Sequence, residues 1–122
     1  MQLSLDKSGS VLIRAYSPGV LTVGDDQHTN PVILSPDTVV TGWQPPAVGD
    51  MSIADFADAL ALQPELILFG SGSRQRFPPL SLVTSVMQTG VGFEAMDTGA
   101  ASRTFNVLAG EGRRVVAALL LD

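Results

Sequence analysis

Four clusters of residues in this chain carry chemistry worth weighing. The first is Gly70-Ser71-Gly72-Ser73, followed by Arg74 and Arg76. Glycines let backbone amides approach an anion, and arginine forks match carboxylate or phosphate. The segment lacks a Gly-Lys-Ser/Thr ending and the full three-glycine dinucleotide pattern, so a nucleotide cradle is disfavoured. Its structural reading is a tight turn that needs positive φ. The second cluster is Asp97-Thr98, a carboxylate beside a hydroxyl; its simpler role is to start a helix. The third is the set Arg103, Arg113 and Arg114, with Asn106 between them. The arginines are read either as part of an anion site or as solvated groups pairing with Glu94, Asp97 or Glu111. Asn106 is read as a structural hydrogen-bonding group.

The fourth is His28 with Asp25 and Asp26 in one polar turn. No second conventional ligand cluster accompanies it, so no metal is expected. A single histidine in 122 residues also weakens any serine–histidine triad. Ser4-Leu5-Asp6-Lys7 has a Ser-x-x-Lys spacing but no companion motif. No catalytic residue and no cofactor are assigned.

The elements that must position these groups follow from patterning. Val11–Tyr16 and Val20–Val23 form a candidate hairpin across Ser17-Pro18-Gly19. After the polar turn from Gly24 to Pro31, Val32–Ser35 and Thr38–Trp43 read as further strands. The first forty-odd residues therefore read as a β-meander, closed by Pro45-Pro46. A helix opens at Ser52, with Asp55 in the capping-box position, and ends before Pro64. Glu65–Gly70 reads as a strand buried on both faces. Pro79 opens a helix running to about Thr89. Gly92–Met96 is the next strand, Thr98 is expected to cap a helix reaching Ala109, and Arg114–Leu121 is the last strand.

This order predicts an α/β, three-layer single domain over residues 1–122. It has a central mixed β-sheet, helices packed on it and an N-terminal β-meander. Residues 1–10 are expected to be flexible. If the strands before Gly70 and Asp97 are parallel, their following loops share one edge of the sheet. Gly70, Ser71, Gly72, Arg74, Arg76 and Arg103 then form a candidate anion or acidic-peptide site. The helix after Pro79 is apolar on more than one side. Leu80, Val83 and Met87 make one stripe, while Leu82 and Val86 project elsewhere. The second apolar face is read either as buried under the N-terminal β layer or as a partner surface, with Leu82 and Val86 as the candidate partner residues.

Composition narrows the partners. The net charge of −5 and a single lysine argue against nucleic acid. Absence of cysteine removes disulfides and thiolate chemistry. The charged fraction of 16% is below the usual ~25%, which favours a protein partner or self-association. No apolar run approaches the ~20 residues of a membrane span, and the first residues show no secretory pattern. The cytoplasm is the expected compartment.

Three segments carry a family likeness: L-I-L-F-G-S-G-S with the following R-F-P-P, then G-F-E-A-M-D-T, then A-S-R-T-F-N-V-L-A-G-E-G-R-R-V-V-A-A-L. Together they resemble a small bacterial and archaeal domain family whose mitochondrial relative is an assembly factor of respiratory complex I. The resemblance implies a three-layered fold with extra β structure on the N-terminal side. It also implies protein-partner binding, and so a non-enzymatic interaction domain. The alternative is a small anionic-ligand-binding domain, or an enzyme, using the Gly70–Phe77 loop. Gly70-Ser71-Gly72 stands where the family commonly has Gly-Thr-Gly. Ser102 stands where it often has cysteine, so no thiol chemistry carries over.

Overall fold

The computed structural model describes residues 10–122. Most of the segment expected to be flexible, including Ser4-Leu5-Asp6-Lys7, lies outside the described residues. Among the described residues, eight strands and three α-helices follow one another. They are β1 (Ile13–Ser17), β2 (Val20–Val23), β3 (Asp26–His28), β4 (Val32–Ser35), β5 (Thr38–Val40), α1 (Ala57–Ala61), β6 (Leu66–Ser71), α2 (Leu80–Gln88), β7 (Gly92–Met96), α3 (Thr98–Gly110) and β8 (Val115–Leu120).

The central sheet has the order β5-β4-β8-β6-β7. β6 pairs in parallel with both β7 and β8, while β4 pairs antiparallel with β5 and β8. Strand alternation divides the core in two. Leu68, Val115, Ala117, Leu119, Val32 and Leu34 face α3 and the small sheet β1-β2-β3, with Phe105, Leu21 and Val23 opposite them. Ile67, Phe69, Val116, Ala118, Leu120 and Ile33 face the other way, toward Phe56, Leu82 and Val86. Every residue of β8 is buried. A strand covered on both faces has no need of polar alternation, which is why its sequence is a continuous apolar run.

Phe56 anchors the second layer. Its ring stands edge-on to Trp43, Phe69 and Phe93, with centroid separations of 5.7, 6.0 and 5.5 Å. Edge-to-face pairs of this kind add about 0.5–1.5 kcal/mol each beyond area burial. Trp43 satisfies its indole N–H by donating to the carbonyl of Asp55, at 2.8 Å. The Ser52 amide donates to Asp55 Oδ2 at 2.8 Å, as the capping box requires. The helix it opens begins as a 3₁₀ turn, Ile53–Phe56, before α1.

Four local expectations need correction. The N-terminal strands do not make one meander: β1–β3 form their own sheet, whereas β4 and β5 join the central one. The polar turn expected from Gly24 to Pro31 contains β3. Its residues pair with Val23, Thr22 and Leu21 through main-chain groups, and an exposed edge strand needs no apolar side chains. Asp97, not Thr98, caps α3; its Oδ1 accepts from the Ala100 amide at 2.9 Å. Finally, Leu82 and Val86 are not a surface. They are 1% and 0% exposed and pack among Phe56, Ile67 and Phe93, because positions four apart on α2 point together at the sheet. The exposed apolar residues of that helix are Leu80 and Met87.

Asn106 fastens the small sheet to α3. Its Nδ2 donates to the Ile13 carbonyl at 2.7 Å, and its Oδ1 accepts from the Ile13 amide at 3.0 Å. The side-chain amide thus takes the place of a neighbouring strand at an irregularity in β1, between Ile13 and Ala15. Replacing Asn106 with Ala should cost about 1–3 kcal/mol, since two main-chain groups lose their partners. Hydrogen exchange should accelerate first in β1, before the central sheet.

Candidate functional site

The parallel strands β6 and β8 end side by side, and their carboxyl ends are tied together by one buried hydroxyl. Thr98 is wholly buried at the start of α3. Its Oγ1 donates to the Leu120 carbonyl at 2.6 Å and accepts from the Gly72 amide at 2.8 Å. The Thr98 amide donates to the Gly72 carbonyl at 2.8 Å. Ser102 closes the same turn by donating to the Thr98 carbonyl at 2.7 Å.

This crossing explains both glycines of the loop. A Cβ on Gly70 would stand 2.7 Å from Leu119 Cδ2, 2.8 Å from Thr98 Oγ1 and 3.1 Å from Thr98 Cα. A Cβ on Gly72 would stand 2.5 Å from Asp122 Oδ1, and its φ of 98° also favours glycine. Between them Ser71 is completely buried. Its hydroxyl donates to the Arg74 carbonyl at 2.7 Å and accepts from the Arg76 amide at 2.9 Å. The Ser73 amide donates to the Asp122 carbonyl at 2.7 Å. The loop amides of Gly72, Ser73 and Arg76 are therefore all committed within the chain.

The loop nevertheless holds a carboxylate, and it is the chain's own. Arg76 Nη2 lies 3.2 Å from Asp122 Oδ2. Tyr16 Oη donates to the Asp122 carbonyl at 3.4 Å. Asp122 thus joins the Gly70–Phe77 loop, β8 and β1. No local pattern marks this residue in the sequence, because every group it meets is distant along the chain.

The candidate arginines separate into different environments. Gly70, Ser71, Gly72, Arg74 and Arg76 share the loop, but Arg103 does not join them. It lines a concavity of about 200 Å³ with Arg14, Tyr16, Gly99 and Asn106. Among the described residues, neither Arg74 nor Arg103 makes an ion pair. Arg113 pairs with Glu65 rather than Glu94 or Asp97, and holds that carboxylate below its ordinary range through a short hydrogen bond. Arg114 donates to the Gln63 carbonyl at 3.0 Å. Both residues therefore bind the segment entering β6, at the opposite end of the strand from the Gly70 loop.

Two adjoining concavities open at this end of the sheet, one of them reaching the loop at Arg76. One, of about 600 Å³, is lined by Arg76, Leu120 and Asp122 together with Pro45, Pro46 and Val48. The other, of about 560 Å³, contains His28, Asn30, Trp43 and Gln44. Thr29, Pro31 and Pro45 line both.

The fold and this edge define a class: a three-layer α/β domain with an accessory three-stranded sheet and a loop closed by its own hydrogen bonds. The chain belongs to the family described as "Protein of unknown function (DUF498/DUF598)", which matches residues 13–120. It is similar to a Francisella tularensis protein named "13 kDa major membrane protein", at 31% identity over 86% of each chain. It is also similar to mouse NADH dehydrogenase [ubiquinone] 1 alpha subcomplex assembly factor 3, at 32% identity over 91% of this chain. The match spans 60% of that factor's length. A crystal structure from Bordetella parapertussis shares the fold with a TM-score of 0.84 and 38% identity, covering 96% of this chain and 100% of the other. Among the described residues, no helix is long and apolar enough to cross a membrane.

Two outcomes follow from the geometry. Thr98→Val should destabilise the domain by about 2–4 kcal/mol in urea denaturation, by stranding the Gly72 amide and the Leu120 carbonyl. Thr98→Ser should retain most of that stability. Tyr16 provides a second readout, since it is the chain's single tyrosine. Burial first, and then the Asp122 and Asp97 carboxylates, raise its phenol above the ordinary value. The folded state therefore favours the neutral phenol. That contribution is complete below the ordinary phenol range and is lost as pH rises through the raised folded value. An absorbance titration should place phenolate formation above that of a capped free tyrosine, and Asp122→Asn should move it down.

Proposed function

We propose that this chain is a non-enzymatic protein-interaction module of the assembly-factor type, docking a partner protein through the outer face of α2. The observation that carries this reading is the exposed apolar surface of that segment. Leu80 is 78% exposed and Met87 57%, and Phe77, three residues before the helix, is 73% exposed. Leu80 and Met87 are two helical turns apart and lie on one face. No residue of α2 is charged, so docking there desolvates no ion. Clustered exposed apolar side chains on a folded domain mark contact surfaces.

The interior supports the same reading. The buried hydroxyls of Ser35, Ser71, Thr98 and Ser102 are all hydrogen-bonded within the fold. Those of Ser71 and Thr98 tie elements together, while Ser35 bonds within its own turn and Ser102 within its own helix, so each has a structural partner. The likeness to a complex I assembly factor agrees with partner binding, and the partner is proposed here only as a protein.

The test compares the two faces of one helix. Leu80→Asp with Met87→Asp should leave the melting temperature within a few degrees of wild type and abolish capture of the partner from native lysate. Leu82→Asp should unfold the domain, because it puts a charge beside Phe56 and Phe93. Undiminished capture by the Leu80/Met87 double variant would remove α2 as the docking face.

A further inference from the structure

The two adjoining concavities, one of which reaches the Gly70–Phe77 loop at Arg76, suggest a second contact, of different chemistry from the α2 face. They meet at Thr29, Pro31 and Pro45, between the small sheet and the segment that follows β5. Together they run from His28 to Arg76 and Asp122 along the carboxyl ends of β6 and β8, the edge where α/β sheets most often receive ligands. Their walls combine proline and apolar surface with neutral amides, notably Gln27, Asn30 and Gln44. Amide side chains both donate and accept, which matches a peptide main chain.

The charged end is specific. Among the described residues, Arg76 is the only arginine or lysine lining either concavity, and its partner is Asp122. The Arg76 side chain is 37% exposed and that of Asp122 63%. An exposed pair of this kind contributes little net stability. Exchanging one carboxylate for another leaves the guanidinium paired throughout. Asp122 retains its hold on the fold through its main-chain carbonyl, which accepts from Ser73. Its side chain is therefore free to leave without unfastening the loop.

We propose that this cleft binds an extended peptide segment bearing a carboxylate side chain, which replaces Asp122 on Arg76. Asp122 then acts as an internal competitor that occupies the site until a partner's acidic residue arrives. The peptide assignment rests on the interaction reading above. The cleft itself does not involve α2.

The experiment uses a capped pentapeptide pool with aspartate fixed at the centre and the other positions varied. It is titrated into the ¹⁵N-labelled chain and followed by amide shifts. Shifts should concentrate at Thr29, Ala47, Val48 and Arg76. A matched pool with central asparagine should bind more weakly, and Arg76→Gln should abolish the difference between the pools. Asp122→Asn should bind the aspartate pool roughly two- to five-fold more tightly, as expected on removing a competing surface ion pair. Unchanged or weaker binding by Asp122→Asn would overturn the competitor role. Succinate binding as tightly as the aspartate pool would overturn the peptide assignment. No shifts in the cleft at millimolar peptide would overturn the site. If the Leu80/Met87 variant still loses its partner in that last case, the interaction reading survives and only the cleft is lost.

Discussion

The carboxyl edge of this domain depends on one side chain, the hydroxyl of Thr98. It sits where the end of β6, the start of α3 and the end of β8 converge, and it serves the Gly72 amide and the Leu120 carbonyl together. A buried main-chain group without a partner costs about 1–3 kcal/mol, so this one atom offsets two such costs. Its position also fixes the neighbours. Gly70 must be glycine because the Thr98 main chain lies against it, and Asp97 is left to cap the helix. The glycine-rich loop that looks like an anion cradle in sequence is shaped first by this crossing.

That arrangement has a functional consequence. With the Gly72, Ser73 and Arg76 amides committed, the glycine turn offers no cradle of free main-chain donors, and the loop presents its side chains to solvent. Arg76 pairs with Asp122, while Arg74 and Phe77 are exposed. On the proposed readings, recognition at this edge would be a matter of guanidinium–carboxylate exchange, and recognition at α2 a matter of apolar contact. The two proposed surfaces share no lining residue and would select for different features of a partner. Both agree with a domain whose relatives include an assembly factor.

Much of the architecture was legible in the chain. The compact apolar run Leu66–Phe69, and the unbroken apolar run of β8, specify strands covered on both faces, and Gly92–Met96 falls where its pattern puts it. Ser52 with Asp55 marks a helix start, and Asn106 stands off the apolar face of α3 as a structural hydrogen-bonding group should. The candidate site was legible only in part. The sequence groups Gly70 to Arg76 correctly because they are neighbours, but it adds Arg103, which the fold directs toward β1. It leaves Leu82 and Val86 open between core and partner surface, because helical periodicity shows that a second apolar face exists without showing which face the sheet covers.

By itself, the sequence determined every strand and α-helix except β3, their order and the layered class of the fold, since these follow from local propensity and from periodicity within ten or so residues. Tertiary structure decided the rest. It divided the N-terminal strands between two sheets, turned Leu82 and Val86 inward, and brought Asp122 onto Arg76, 46 residues away. Those outcomes depend on which main-chain groups find partners once the sheet is assembled. Hydrogen-bond pairing between distant segments leaves no periodic trace in either one.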